Sequence, residues 1–579
     1  MGNVVKKVRA FLGLDLKKRD TPLNFKFPLA SHRVQAKNVL GLSFHAHLNR
    51  EQDDPSAYFE LIKARVKHLN RCALSTRQRE KLTGEITTLF YEKALQISRQ
   101  SSQTAGIPEN DDRKRLLVVT SKICQILIVS NQILFDKYYN SSNFIFERSR
   151  KKFKRSGLII FELFLLNQRL KGLRYQKPEN SEWAALHTVL ITLKLHDDIS
   201  HPQATLKHQL KIESPKSINT LFVSLVIFDY FKPLQWPTHL QWVIESYLNS
   251  VTNPVDVLFC DSAYPAGHDA ITVYGSGNIR HSVVHPDTSP KPIIMLDCGV
   301  LFSQIRSDCM ALITALQSKQ IDDIPLRFAK FKENERLVIS HKLLHGMDHS
   351  EPYDLDNKND QLHDLRLFVG FSEVFALLHH QQGEFAHEER LADALAKRSA
   401  VIAQDDHSGN STRWTLLYEN ATHIRLSTQE SSYTTPMKIG SLLAYGIGES
   451  IKKPSLAVVS RIERTTEKTV ILDFEVISKY AESVVVTRNH VGKNVGNRGI
   501  LISSQKKSSQ WGLLVQPMDV LCGVDEFSMY RKKEVLPLHL ETLKMATTDF
   551  SLFSIPLSAS QLGLKTEAGQ DNHDLSQST

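Results

Sequence analysis

The sequence predicts an α+β multi-domain chain: a helical N-terminal domain, a mixed α/β middle, and a C-terminal antiparallel β-barrel with a β extension. Three observations predict it. Apolar residues recur at helical spacing in the first half, as in Tyr58, Ile62, Val66 and Leu69. After about residue 251, prolines and glycines break that rhythm. Between Arg413 and Arg488 the apolar residues fall into short strand-like runs separated by turn residues. A chain of 579 residues has room for three or four domains at roughly 150 residues each. Its 41% apolar content supplies ordinary cores.

Residues 1–53 read as a basic N-terminal extension. Within residues 3–20, Lys6, Lys7, Arg9, Lys17, Lys18 and Arg19 lie among Val4, Val5, Val8, Phe11, Leu12 and Leu14. That composition suits a soluble extension or a basic amphipathic helix resting on a membrane surface. The helical domain spans 54–250. Asp54-Pro55 opens it as an N-cap followed by proline at the first helical position. Ser75-Thr76-Arg77-Gln78 is a capping box ahead of Leu82, Ile86, Leu89 and Phe90. Further helices are expected at 113–138, 157–171, 182–196 (with Ser181 as N-cap), 218–231 and 239–250. The apolar run Leu116 to Phe135 is interrupted by Lys122, Gln125, Asn131 and Gln132, which are costly in hydrocarbon. It reads as a buried helix and not a membrane span.

The mixed α/β domain is placed at 251–401, with strands at Pro292–Leu296, Leu337–Ile339 and Leu367–Val369. Helices are expected at 300–318, at Ser372–His380 and over Glu384–Arg398. A polar linker leads into the barrel, placed at 402–490. Its strands are Trp414 to Leu426, Met437 to Gly446, Leu456 to Ile462, Val470 to Val476 and Ser483 to Val486. In the fourth, Val470, Leu472, Phe474 and Val476 alternate with Ile471, Asp473 and Glu475, the pattern of a half-buried antiparallel strand. A small β unit is expected at 491–557 and a disordered tail at 558–579. The six cysteines lie far apart with no C-x-x-C pair, which suits free thiols in the cytoplasm better than a disulfide framework. A net charge of +10 is a mild excess at this length; it allows an anionic partner without demanding one.

The barrel region resembles the PilZ family of bacterial receptors for cyclic di-GMP. The residues that carry the resemblance are the run from Trp414 through Asn420-Ala421-Thr422-His423-Ile424-Arg425-Leu426 and the runs Met437 to Gly446, Leu456 to Glu463 and Val470 to Val476. The wider order of helical half, mixed middle, barrel and β tail is similar to large proteobacterial PilZ-like proteins over most of residues 55–557. The resemblance implies a signalling protein that binds cyclic di-GMP, or a degenerate relative that acts on a protein partner. It implies no catalysis and no cofactor beyond the nucleotide ligand. In that family an R-x-x-x-R segment ahead of the barrel pairs with the phosphates and stacks on guanine. A D/N-x-S-x-x-G segment in the first hairpin holds a guanine edge. Here Asn420 matches the first position of the second motif, Thr422 keeps a hydroxyl at the serine, and Arg425 replaces the glycine. No intact R-x-x-x-R precedes the barrel; Lys397, Arg398 and Arg413 are the cations placed to substitute.

Other constellations point elsewhere. An interaction adaptor without a nucleotide ligand is the alternative function. His341, His345 and His349 recur at spacing four and would suit a transition metal on a helix face, the basis of a third reading as a metal-dependent enzyme. The loop Gly275 to Arg280 lacks the third glycine of a dinucleotide fingerprint and reads as a turn, and Gly492 to Gly499 reads as a linker. Lys151-Lys152-Phe153-Lys154-Arg155 reads as a solvated helix start, with no nucleic-acid motif beside it. No G-x-S-x-G elbow or P-loop is present, so the chain is read as a non-enzyme.

Overall fold

The protein is described here by a computed structural model. It describes residues 42–557 except 104–105, 107–108, 142–145, 197–198, 252–254, 260–269, 274–278, 282–293, 318–322, 330, 348–360, 382–410, 421, 430–436, 448–453, 466–468, 489–495, 504–510, 517–526 and 532–533. The chain divides into two compact units, residues 1–308 with 343–350, and residues 309–342 with 351–579.

The first unit begins with α1 (Leu42–Arg50), α2 (Pro55–Arg71), α3 (Thr76–Gln103), α4 (Asp111–Tyr139) and α5 (Glu147–Gly172). These are followed by α6 (Asn180–His196), the one-turn α7 (Leu206–Gln209), α8 (Ile218–Tyr230) and α9 (Thr238–Val251). The local signals act as expected at the start. Asp54 Oδ1 accepts from the N–H groups of Ser56 (2.9 Å) and Ala57 (3.2 Å). In the capping box, Ser75 N–H donates to Gln78 Oε1 (3.2 Å) and Gln78 N–H donates to Ser75 Oγ (3.3 Å). Ser181 lies inside α6, which starts at Asn180; the Glu182 carboxylate caps this end by accepting from Glu179 N–H at 2.8 Å. Among the described residues α4 is the one helix long and apolar enough to cross a membrane. It also packs against α2, α3 and α5, and it buries Ser130, Asn131 and Gln132.

Helix α5 is the core element of this unit. From Ile160 to Gly172 every residue is buried, including Glu162, Asn167, Gln168, Arg169 and Lys171. Each of these polar side chains meets a partner from another segment. Glu162 accepts from the backbone N–H groups of Leu206 (2.6 Å) and Lys207 (3.3 Å) and so caps α7 from outside. Lys171 donates to Glu182 at 2.6 Å. Arg169 pairs with Glu245 on α9 and lies 4.2 Å from the Trp242 ring centroid. After α9 the chain forms a four-stranded antiparallel sheet, ordered β1-β4-β2-β3, from β1 (Asp256–Phe259), β2 (Ala270–Val273), β3 (Ile279–His281) and β4 (Ile294–Asp297).

Then come α10 (Gly299–Gln317), α11 (Leu326–Ala329) and α12 (Glu333–Met347). The strand expected at Leu337–Ile339 is part of α12. Buried Ile339, Leu343 and Met347 repeat every four residues, so the short apolar run is one turn of a helical stripe.

The second unit carries β5 (Gln361–Val369), α13 (Phe371–Gln381), β6 (Ser411–Glu419), β7 (His423–Gln429), β8 (Leu442–Ile447), β9 (Ser455–Arg464), β10 (Thr469–Ser478) and β11 (Ala481–Arg488). The last strands are β12 (Gly496–Ser503), β13 (Trp511–Val515), β14 (Phe527–Arg531), β15 (Glu534–Leu538), β16 (Leu543–Ala546) and β17 (Ser551–Ile555). Six of these strands form an antiparallel ring in the order β10-β7-β6-β5-β8-β9, and β9 pairs back onto β10. Trp414, Leu426, Ile462, Leu472 and Phe474 are all buried in its strands.

This arrangement corrects two strand assignments. The expected first strand, Trp414 to Leu426, is a hairpin of β6 and β7. The expected last strand, Ser483–Val486, lies in β11, which pairs with β12 and β14 in a seven-stranded sheet ordered β15-β14-β11-β12-β13-β17-β16. Ser478 turns the chain out of the ring: its hydroxyl donates to Tyr480 O (2.5 Å) and accepts from Tyr480 N–H (3.0 Å). The sixth ring strand is β5, which pairs with β6 on one side and β8 on the other. Gly440, at φ +85°, makes the turn ahead of β8, a conformation that favours glycine.

Candidate functional site

The candidate site is the β6–β7 hairpin and the outer face of the strands beside it. Asn420 builds the hairpin turn. Its Oδ1 accepts from Thr422 N–H (2.8 Å), Thr422 Oγ1 (3.2 Å) and His423 N–H (2.6 Å), while its Nδ2 donates to Tyr418 Oη at 2.6 Å. An asparagine side chain that mimics a backbone turn in this way has spent both of its polar ends. Thr422 Oγ1 is also 2.9 Å from His423 Nδ1, and the Thr422 carbonyl accepts from Val476 N–H at 2.8 Å. Burial lowers the His423 pKa below its usual value, against the opposing pull of Glu475 and Asp473.

Beyond the turn, the period-two alternation puts Arg425 and Asp473 on the outer face. Asp473 of β10 stands opposite Arg425 of β7 and Arg461 of β9. The Arg425 guanidinium grips this carboxylate with both prongs, Nε to Oδ1 at 2.5 Å and Nη2 to Oδ2 at 2.7 Å. That hydrogen bond raises the Arg425 pKa above its usual value, so the cation is held more firmly. Arg461 Nη1 lies 3.8 Å from Asp473 Oδ2, and its Nη2 pairs with Glu463. A bulge at Ser460, whose hydroxyl donates to Asp473 O at 2.9 Å, shifts the register so that Arg461 and Glu463 share this face. The result is an alternating ladder of Arg425, Asp473, Arg461 and Glu463, with each side chain about four-fifths buried. A ladder of this kind locks three strands together. An incoming phosphate would have to displace Asp473 to take the Arg425 fork, and Glu463 to take Arg461 Nη2.

Of the residues singled out for a ligand, Asn420, Thr422 and Arg425 come together along one hairpin, and all three are engaged within the fold. Arg413 lies on β6, opposite Asp364 of β5. Lys397 and Arg398 fall outside the described residues. The sequence reading missed Asp473 and Arg461 as the partners that set the state of Arg425. The charge alternation in β10 was visible, but its register against β7 and β9 was not.

The histidine cluster has a different local context. His341 lies on α12, and its Nε2 is 2.9 Å from the Lys544 carbonyl; His349 falls outside the described residues. Among the described residues no group of three or more His, Cys, Asp or Glu side chains is arranged to hold a metal ion. A second buried polar cluster lies in the seven-stranded sheet, where the Glu482 carboxylate accepts from Tyr480 Oη (2.7 Å) and from Arg531 Nε (2.9 Å) and Nη2 (2.7 Å). Burial, together with the bond to Glu482, pushes the Tyr480 hydroxyl up to about 12.

Comparison of the chain with protein-family models, with curated proteins and with solved structures returns no match.

Proposed function

We propose that this chain is a signalling or interaction protein whose β-barrel, similar to the PilZ family in the order of its strand segments, acts on a protein partner without a conventional cyclic di-GMP site. One observation carries the reading: Asn420, Thr422 and Arg425, the residues the resemblance assigns to the ligand, are all engaged within the fold, and Arg425 is held in bidentate contact by Asp473. A charged hydrogen-bond pair is worth roughly 1.5–3 kcal/mol, and a competing phosphate must first replace it. On this reading the barrel is a rigid platform, and no catalytic step is assigned to it.

Titration calorimetry of the purified chain with cyclic di-GMP tests this reading. The expected result is no heat of binding at about tens of micromolar ligand, which corresponds to an affinity weaker than about −6 to −7 kcal/mol.

A second reading is favoured by a specific feature of the same face. Arg425 and Arg461 converge on a single carboxylate, so two guanidiniums would face an anion if Asp473 gave way. On that reading the barrel is a nucleotide receptor held closed by its own aspartate. Asp473→Asn would then gain affinity for cyclic di-GMP, whereas on the adaptor reading it remains silent.

A further inference from the structure

The fold gathers the basic excess of this chain at one end of the helical unit. The end of α2, the start of α3, the end of α4 and the start of α5 meet there. Lys137 Nζ donates to the Leu74 carbonyl at 3.1 Å, and Lys152 pairs with Glu80 at 2.5 Å. Residues 71–81 and 136–155 hold eleven lysines and arginines against three carboxylates, Glu80, Asp136 and Glu147. That is a net charge of +8 in two short segments, where the whole chain nets +10. Two of the three carboxylates are already matched, Glu80 by Lys152 and Glu147 by Lys151. Arg77, Lys81, Arg148, Arg150, Lys151 and Arg155 are exposed.

At the head of this group stands Phe146, with 59% of its surface exposed, one of the few large apolar side chains so placed among the described residues. Among the described residues, two other aromatics of these segments are buried. Phe153, inside the basic run, is fully buried and stacks on Phe135 at 4.2 Å between ring centroids, and Tyr138 is buried beneath Lys152. Single-stranded nucleic acid is held by several aromatic platforms along a basic groove, and among the described residues Phe153 and Tyr138 are committed to the core instead. A basic surface topped by one exposed phenylalanine fits a different partner. The cations meet lipid phosphates while the ring enters the boundary between headgroups and acyl chains.

We propose that this end of the helical unit docks on an anionic lipid surface, with Phe146 as the apolar anchor and the cations of α3 and α5 as the electrostatic contact. The proposal is independent of what the barrel binds. It is also separate from any contact made by residues 3–20, which are unchanged in the variants below.

The test is co-sedimentation of the full chain with phosphatidylcholine vesicles, with and without about 30% phosphatidylserine, at low and at physiological salt. The protein should pellet with the anionic vesicles, stay in the supernatant with the neutral ones, and be released as salt rises. The triple variant Arg148→Glu, Arg150→Glu, Lys151→Glu should bind the anionic vesicles roughly a hundredfold more weakly, at about fivefold per basic residue. Phe146→Ser should weaken binding severalfold while leaving the salt dependence in place. These positions are exposed, and unchanged circular dichroism of each variant shows that the bundle still folds. Equal binding by wild type and triple variant would overturn the proposal, as would absence of wild-type binding at low salt. Capture of a DNA or RNA duplex in place of vesicles would overturn it in favour of a nucleic-acid surface.

Discussion

The core of the helical unit and the outer face of the barrel both contain paired arginines and carboxylates, but they handle them differently. Arg169 and Glu245 meet where almost no solvent reaches, at 5% and 2% residue exposure, and the pair is incompletely satisfied. Arg169 Nε and Nη1 and Glu245 Oε2 have no hydrogen-bond partner among the described residues. Burial lowers the Arg169 guanidinium to about 10. On the barrel, Arg425 uses its fork on Asp473 while keeping some contact with solvent. The first pair is committed, because separating it strands a charge in a low-dielectric interior. The second can be exchanged at modest cost, because water can solvate whatever is released. The barrel ladder is therefore the place that tolerates a change of partner better, and the core pair serves to fix α5 against α9.

Four substitutions sharpen or break that contrast. The largest effect is expected in the core. Glu245→Ala leaves Arg169 buried without its partner and should destabilise the helical unit by about 3–5 kcal/mol, read as a lower midpoint in urea. A loss below about 1 kcal/mol would mean that the pair is solvated like the barrel ladder, and the contrast would collapse.

Next is His187 on α6, which is buried against Trp183 and Phe222, with neither ring nitrogen hydrogen-bonded among the described residues. Burial lowers its pKa from 6.5 to about 4. The unfolded chain therefore takes up a proton that the folded chain refuses. Stability from this group is complete above about pH 6.5, falls as pH drops, and is gone by about pH 4, a difference of about 3 kcal/mol. His187→Phe should flatten the acid limb of the stability curve between those values, measured by denaturant unfolding at each pH. An unchanged limb would place the acid sensitivity elsewhere.

Asp473→Ala, on the barrel, should cost about 1–3 kcal/mol, less than the core substitution, because both arginines keep access to water. Thermal unfolding of the two variants side by side reads the difference. The smallest effect belongs to a helix end. Ser75→Ala removes the hydroxyl half of the capping box and should cost about 1 kcal/mol, a local loss seen as faster amide exchange in the first turn of α3.

The legibility of these regions differs for a physical reason. Helix existence in the first half was readable because the apolar stripe and the caps are local: Asp54, Ser75 and Gln78 act within three residues of themselves. The buried charges on α5 were not readable, because Glu162 meets Leu206 and Arg169 meets Glu245, partners dozens of residues away. The apolar runs near residues 456–476 were readable from alternation. The place of β5 in the ring was not, because Gln361–Val369 pairs across a gap of some forty residues with β6. Nor was the hairpin at Asn420, where one side chain divides what looks like a continuous strand. The candidate site was legible as a set of residue types around Asn420, Thr422 and Arg425. Their state was not, because Asp473 lies 48 residues beyond Arg425 and becomes its neighbour only through strand register.

The measurement that bears most directly on the barrel is calorimetric titration of the unmodified chain with cyclic di-GMP. If Asp473 keeps the Arg425 fork occupied and Asn420 remains spent on its turn, the injections give only heats of dilution. A saturable, stoichiometric isotherm for the unmodified chain would contradict the account.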